Sequence, residues 1–288
     1  MKKTLSIAGS DCSGGAGIQA DIKTFSAHGV FGMTVVTSVV AENTFRVIEY
    51  QDIRPDIIAK QIDAVFEDIP PDAVKIGMLS CCETMLAVAG KLREWKPQNV
   101  VIDPVMFAKN GCALMDMSAI NTLISELIPL ADVITPNIPE AEKIAQMTIN
   151  TREDMREAAR RIHAMGCRAV VVKGGHMESC AGQTVASAEN RGSPPAGDAT
   201  DVLFDGADFC EFPAQRVNTK HTHGTGCTFS SAIAANLALG FPVQQAVERA
   251  KAYIHTAIIH APGLGKGNGP THHFYEMYQS FFYGADHA

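Results

Sequence analysis

The chain has 288 residues, with 31 acidic and 24 basic side chains and a formal net charge of −7 at pH 7. That length is sufficient to bury a hydrophobic core without disulfides or metals. Hydrophobic residues make up 46% of the chain, and no apolar run reaches the ~18 residues that a membrane-spanning helix needs. The acidic balance and the lack of basic clusters argue against nucleic acid as a partner.

The N-terminus and the cysteines indicate the cellular compartment in which the protein is expected. Two lysines near the start run into Gly9 without an apolar signal core of ~7–15 residues. The eight cysteines show no metal-ligand spacing. We therefore expect a reduced, cytoplasmic protein with no membrane partner.

Short apolar runs rich in β-branched residues alternate with helical periodicity along the chain. They predict strands at residues 4–8, 34–40, 73–79, 99–105, 132–135 and 168–172. Stripes at helical spacing predict helices around residues 18–25, 58–66 and 158–165. A hairpin is predicted at 202–204 and 210–212, followed by helices from Cys227 to about Leu239 and, with Pro242 in the first turn, to about His260. This order predicts a doubly wound α/β fold, with a mostly parallel sheet between two layers of helices.

The periodicity stops at residues 176–201, where Gly, Ser, Ala and Pro dominate. We interpret this stretch as a surface insertion and not as a linker between domains. The sequence therefore predicts a single domain over residues 1–288.

Three glycine-rich stretches follow predicted strands or helices, and ligands of open α/β sheets bind at the carboxyl ends of the strands. The first, residues 9–17, has neither a dinucleotide fingerprint nor a Walker lysine. Its glycines would let a ligand approach the backbone, with Asp11 and Asp21 as acceptors, although a plain tight turn fits as well. The third, residues 263–270, could cover phosphates with Lys266 or form a flexible turn.

The second stretch, residues 222–228, is the most specific because it opens a predicted helix. Successive backbone N–H groups from Gly224 through Thr225 and Gly226 to Cys227 predict an anion hole. Cys227 lies in the first turn, where the helix dipole favours its thiolate. The alternative is that Gly226 permits close packing and Cys227 is a small buried apolar residue.

Several ordered motifs together resemble one family. They are residues 8–25, 39–44 (VVAENT), 75–79 (KIGML), 135–140 (TPNIPE), 173–176 (KGGH), 218–227 and 269–273. Over residues 4 to 273 the chain resembles the hydroxymethylpyrimidine/phosphomethylpyrimidine kinases of thiamine biosynthesis, which have the ribokinase-like fold. The resemblance implies phosphorylation of 4-amino-5-hydroxymethyl-2-methylpyrimidine, and then of its monophosphate, with ATP and Mg²⁺.

The resemblance also assigns roles to residues. Glu42, a position where the family carries Gln or Glu, would bind the aminopyrimidine edge. The other residues expected around the pyrimidine are Ala16, Asp21, Val40, Met78 and Val105. These combine an apolar slot with a few polar groups, as a flat heteroaromatic ligand requires.

The nucleotide and the reacting hydroxyl have matching positions too. Cys227 occupies the position of the catalytic base, either as a base or as an orienting group. Lys173 matches the phosphate lysine, and Lys266 the segment that closes over the nucleotide. Asn137 and Glu140 match the Asn-x-x-Glu motif, whose Glu helps to hold Mg²⁺. Asp103 is a second acidic candidate near the metal, or a turn cap.

The histidines His176, His221, His223, His272 and His273 lack the spacing of a zinc site and are expected to form loop hydrogen bonds. Relatives are often dimers, so a homodimer is one expectation.

Three other functions stay open. A related pyridoxal kinase shares the Gly-Thr-Gly-Cys signature, and its dual-substrate form has a lid cysteine where this chain has Ala108, with Cys112 four residues later. A non-catalytic vitamer-binding regulator is disfavoured because Cys227, Lys173 and Glu140 occur together. A sugar or nucleoside kinase is disfavoured by Cys227 in place of Asp.

Overall fold

The computed structural model describes residues 1–106, 115–175, 197 and 199–283. Nine strands form one sheet in the order β3-β2-β1-β4-β5-β6-β7-β8-β9. Their bounds are β1 Lys3–Asp11, β2 Phe31–Glu42, β3 Val47–Asp52, β4 Ala73–Ile76, β5 Val100–Ile102, β6 Val133–Ile134, β7 Ala169–Val172, β8 Asp201–Phe204 and β9 Phe209–Phe212. The six central strands, β2, β1, β4, β5, β6 and β7 in sheet order, pair in parallel. The strands at the two edges, β3 on one side and β8 and β9 on the other, pair antiparallel.

Helices cover both faces of the sheet. Their bounds are α1 Gly17–Ala27, α2 Pro55–Asp68, α3 Cys82–Trp95, α4 Met117–Thr122, α5 Ile138–Ala145, α6 Arg152–His163, α7 Thr225–Ala238, α8 Val243–Ile259 and α9 Tyr275–Tyr278. A π-helical turn at Leu123–Leu127 and a 3-10 turn at Ile128–Leu130 extend α4, and a π-helical turn at Gln279–Tyr283 follows α9.

Two hydrophobic cores result, one on each face. Ile58 and Ile62 of α2 pack against Leu5 and Ile76 in one core. Phe25 of α1 joins the α7 and α8 side chains on the other face, where Val101 and Val171 also point. The strands are therefore buried on both faces, as parallel strands in a three-layer α/β fold are. The predicted fold class is confirmed.

The structure differs from the sequence prediction at several elements. β3 was not predicted, because its residues are mostly exposed at the sheet edge and show no buried face. α7 begins at Thr225, two residues before the predicted start, and Pro242 is the N-cap of α8 and does not lie within its first turn. Most of the predicted insertion, residues 176–196 and 198, lies outside the described residues, as do Ala108 and Cys112, and the single-domain boundary stays a prediction. None of the described helices is both long and apolar enough to cross a bilayer.

Candidate active site

A cavity of about 560 Å³ lies at the carboxyl ends of the parallel strands. The carboxyl-terminal ends of β1 and β2 and the residues that follow β4, β5, β6 and β7 supply much of the lining, because parallel strands all end at the same edge of the sheet. The lining includes Asp11, Ala16, Val40, Glu42, Tyr50, Lys75, Met78, Ser80, Asp103, Val105, Asn137, Glu140, Lys173, His223, Gly224, Thr225, Gly226 and Cys227. Most residues predicted for the pyrimidine, the phosphates and the metal therefore share one cavity.

Glycine is required where the second glycine-rich stretch enters α7. Gly224 has φ of +76°, and a Cβ there would lie 1.7 Å from the carbonyl oxygen of Gly15. A Cβ on Gly226 would lie 3.1 Å from Oδ2 of Asp103 and 3.5 Å from Nζ of Lys173. The first-turn N–H groups of Gly226 and Cys227 have no partners within the helix and lie beside a lysine, as an anion site requires.

Cys227 lies in the first turn of α7 and lines the cavity. Burial raises the pKa of its thiol to about 11, although the nearby Lys75 ammonium acts in the opposite direction. Burial therefore acts against the thiolate that the position at the start of the helix was expected to favour. A thiol with this pKa keeps its proton at neutral pH.

Lys173 follows β7 and reaches the same corner of the cavity. Its Nζ is 2.8 Å from Oδ1 of Asp103, and the two side chains are 14% and 3% exposed. Thr135 donates to the same Asp103 oxygen at 3.3 Å. The predicted phosphate lysine and one predicted metal carboxylate thus form an ion pair with each other.

Glu140 and Asn137 are joined by a reciprocal cap at the start of α5. The backbone N–H of Asn137 donates to Oε2 of Glu140 at 2.8 Å, and the N–H of Glu140 donates to Oδ1 of Asn137 at 3.0 Å. Burial raises the pKa of Glu140 to about 7, with Lys173 opposing and Asp103 reinforcing the change. The Asn-x-x-Glu spacing thus forms a capping box at the start of α5, and the cap holds the carboxyl at the cavity wall.

Asp21 was expected to line the pyrimidine pocket, but its side chain is fully buried beneath it. Nζ of Lys75 lies 3.0 and 2.9 Å from its two carboxylate oxygens, and Ser6 and Ser231 donate to the same carboxylate. Burial alone would lower the pKa of Lys75, but Asp21, with further contributions from Cys227 and Asp103, outweighs burial and raises that pKa. Asp21 therefore positions Lys75 at the cavity floor and is itself absent from the cavity lining.

Asp11 was expected to accept hydrogen bonds from a substrate, but the protein itself occupies its carboxylate. The N–H groups of Ser13, Gly15 and Ala16 donate to it, and Nε2 of His223 lies 2.8 Å away. Burial opposes ionisation, yet these hydrogen bonds outweigh it and hold the pKa of Asp11 well below its usual value. The pairing of Asp11 with His223 joins the first two glycine-rich stretches and was not predicted.

The third glycine-rich stretch packs against the turn between β2 and β3. The N–H of Gly267 donates to Oγ1 of Thr44 at 3.0 Å, and the N–H of Asn268 donates to its carbonyl at 2.8 Å. Lys266 is exposed and does not line the cavity. The structure therefore does not place this lysine with the other predicted nucleotide residues.

Ala16, Val40, Met78 and Val105 line the apolar part of the cavity, with Glu42 beside them. This matches the slot expected for a flat ring with one polar edge. Tyr50 and Ser80 also line the cavity and were not predicted, Tyr50 because the strand that carries it was missed.

The chain is similar to known proteins over most of its length. The family described as phosphomethylpyrimidine kinase matches residues 11–272. A hydroxymethylpyrimidine/phosphomethylpyrimidine kinase of Rhizobium meliloti is 47% identical over 96% of this chain and 98% of its own length. The chain belongs to the phosphomethylpyrimidine kinase family. The resemblance inferred from the motifs is thereby confirmed.

The chain is also similar to a bifunctional protein and to two solved kinase structures. The bifunctional thiamine biosynthesis protein ThiED of Geobacter sulfurreducens is 49% identical over 93% of this chain, which spans about half of that protein's length. The phosphomethylpyrimidine kinase of Clostridium difficile superposes with a TM-score of 0.76 at 44% identity, covering 90% of this chain and 100% of its own. An ADP complex of Bacillus subtilis pyridoxal kinase reaches a TM-score of 0.83 at 38% identity, covering 96% and 99%.

Proposed function

We propose that this chain transfers the γ-phosphoryl group of ATP to 4-amino-5-hydroxymethyl-2-methylpyrimidine and then to its monophosphate. Family membership supports this reaction. The observation that carries it is one cavity joining an apolar slot that ends in Glu42 to a phosphate corner formed by Lys173 and the start of α7. A hydroxymethyl group on a ring in the slot would face that corner.

The phosphate corner supplies charge stabilisation through fixed groups. Backbone N–H groups at the start of α7 point outward along the helix dipole, and Lys173 adds a cation beside Gly226. Phosphoryl transfer passes through a loose transition state, so the protein acts mainly by positioning and by stabilising charge. The hydroxyl oxygen forms the new bond to phosphorus while the bond from phosphorus to the β–γ bridging oxygen breaks.

The residues around Lys173 also fit Mg²⁺. Asp103 and Glu140 bring two buried carboxylates to the cavity wall, and each retains lone pairs beyond its protein hydrogen bonds. Oxygen donors of this kind are what Mg²⁺ prefers, often through water. Asp103 and Glu140 would hold the ion, which when bound neutralises charge on the phosphates.

Cys227 orients the attacking hydroxyl in this proposal. Because burial raises the pKa of its thiol to about 11, a neutral thiol meets the substrate at physiological pH. A neutral thiol can hold the substrate hydroxyl by a hydrogen bond. It must lose its own proton before it can act as a base and take the proton of that hydroxyl. In a loose transition state the hydroxyl proton can leave late, with the transferred phosphoryl group.

The test offers the purified protein MgATP with the pyrimidine alcohol, its monophosphate or pyridoxal, and measures ADP release and phosphorylated products. Turnover of both pyrimidines with a higher kcat/KM than pyridoxal is expected. Cys227→Ser and Cys227→Ala are compared with Cys82→Ser, a cysteine in the first turn of α3 that does not line the cavity. If neither pyrimidine is phosphorylated, the proposed function is wrong.

A further inference from the structure

The end of the third glycine-rich stretch and the histidines after it cross the start of α7 and contact it on both sides of the phosphate corner. Before the corner, the N–H of His223 donates to the carbonyl of Gly269 at 3.0 Å. After the corner, Oγ1 of Thr228 lies 3.1 Å from Nε2 of His273. Residues 224–227, which form the expected anion hole, therefore lie between two fixed contacts.

The helix α7 begins without a side-chain cap, because its N-cap residue is Gly224. A capping side chain would accept hydrogen bonds from the first-turn N–H groups that a phosphate needs. The first bond within the helix runs from the N–H of Thr228 to the carbonyl of Gly224 at 2.8 Å. The direction of the first turn therefore depends on contacts made from outside the helix, and Thr228 is the residue on which such a contact acts.

His273 is held from its other side by α8. Its carbonyl accepts a hydrogen bond from the hydroxyl of Tyr253 at 2.7 Å, and the N–H of the preceding His272 donates to the carbonyl of Ala257 at 2.9 Å. His273 is 5% exposed and Thr228 is fully buried. The bond between them is therefore closed to water, and it joins the first turn of α7 to an anchored segment.

The bond between Thr228 and His273 joins two neutral groups. Burial lowers the pKa of the His273 imidazole to about 4, and Lys23 and His272 act in the same direction. A neutral imidazole has one donor and one acceptor nitrogen, and a hydroxyl can serve as either. Removing one partner leaves the other buried without a hydrogen bond, which a folded protein avoids by shifting the groups around it.

We propose that His273 is a positioning residue for phosphoryl transfer, which fixes the first turn of α7 through Thr228 and so directs the N–H groups of that turn toward the transferred phosphoryl group. This inference rests on the proposed function and adds to it a residue that does not line the cavity. Because the transition state is loose, the rate depends on the placement of such donors.

Loss of the bond would leave the first turn of α7 held from one side only. A displacement of about 1 Å in an active site can cost about a hundredfold in rate. The remaining contact of His223 with Gly269 limits the movement, so we expect kcat to fall about tenfold. The KM for the pyrimidine alcohol should stay within about twofold, because the apolar slot is formed by residues outside α7.

The test measures kcat and KM of the full-length protein with MgATP and the pyrimidine alcohol. Thr228→Val and His273→Leu each remove one partner and should lower kcat about tenfold. Thr228→Ser keeps the hydroxyl and His273→Gln keeps a polar group near the position of Nε2, so both should retain kcat within about threefold. The control is His272→Leu, since the His272 ring packs against Tyr275 and Tyr278 of α9, and its kcat should match the wild type.

A double-mutant cycle separates positioning from fold stability. If the two residues act through one bond, Thr228→Val combined with His273→Leu should lower kcat about tenfold and not about a hundredfold. Urea unfolding of every variant gives the fraction that is folded under the assay conditions, so that kcat refers to folded protein.

Wild-type kcat in Thr228→Val, which keeps the side-chain volume, would overturn the inference even if His273→Leu does not fold. A double variant whose loss equals the product of the two single losses would also overturn it, because the residues would then act separately. In both cases the unaltered enzyme still phosphorylates the pyrimidine, and the proposed function stands. If the unaltered protein phosphorylates neither pyrimidine, the proposed function fails and this inference with it.

Discussion

The buried pair of Lys75 and Asp21 offers a sharp test of how the cavity floor is held. Both side chains are fully inaccessible, and Nζ lies 2.9 Å from the nearer carboxylate oxygen. Lys75→Met keeps most of the side-chain volume but leaves the Asp21 carboxylate buried without a cation. Removing one partner of a buried pair costs about 3–5 kcal/mol. Because Ser6 and Ser231 still donate to Asp21, we expect the lower end of that range, about 3 kcal/mol.

The assay is urea unfolding followed by far-UV circular dichroism and by the fluorescence of the single tryptophan, Trp95, which stacks on Phe66. Asp21→Asn combined with Lys75→Met should recover most of the lost free energy of unfolding, because no buried charge is then left alone. Lys60→Met removes an exposed ion pair with Asp56 and should change the unfolding midpoint little. If Lys75→Met unfolds at the same urea concentration as Lys60→Met, the reasoning about buried charge is wrong.

Three further outcomes are expected. Gly224→Ala should lower kcat/KM at least tenfold, since its Cβ would meet the Gly15 carbonyl at 1.7 Å. The control is Gly90→Ala within α3, where a Cβ meets nothing within 4 Å; it should stabilise the protein by about 0.5–1 kcal/mol in urea unfolding. Iodoacetamide should label Cys227 slowly at pH 7, as followed by mass spectrometry, and tenfold faster for each pH unit up to about 11; rapid labelling at pH 7 would contradict a buried neutral thiol. Glu140→Gln should raise the Mg²⁺ concentration for half-maximal rate several-fold, and an unchanged Mg²⁺ titration would remove Glu140 from the metal site.

The central strands could be predicted from the sequence because their burial on both faces produces continuous apolar runs. β4 and β7, for example, are buried along their whole length. β3 escaped prediction because it is an edge strand whose Ile48 and Tyr50 are both exposed, so its apolar residues do not mark a core face. Its identity depends on pairing with β2, a long-range contact that periodicity does not report.

The cavity residues were predicted one by one, but the pairs among them were not. Local spacing places Asp11 and Asp21 near the first glycine-rich stretch, and both therefore suggested ligand acceptors. Their partners, His223 and Lys75, lie 212 and 54 residues away in the chain. Only the folded sheet brings these groups together, and the pairing converts two candidate substrate contacts into supports for the cavity. Lys266 lies outside the cavity lining because Thr44 holds its loop, and its predicted role toward the nucleotide stays a prediction.

The net charge of −7 is compatible with a triphosphate site because two buried carboxylates, one beneath the cavity and one at its phosphate corner, are already paired with lysines. Asp21 is paired with Lys75, and Asp103 with Lys173. The Asp103–Lys173 pair is neutral in the free protein, so neither group repels an incoming ligand. In the proposed function, a phosphate that takes the lysine would leave Asp103 free to hold a cation, and the same two residues would then stabilise opposite charges. An isolated lysine would attract phosphate more strongly but would leave nothing for the metal, whereas an isolated carboxylate at this position would repel the nucleotide. The ion pair therefore suits a site that receives ATP and Mg²⁺ together, and overall charge is a poor guide to what such a corner can bind.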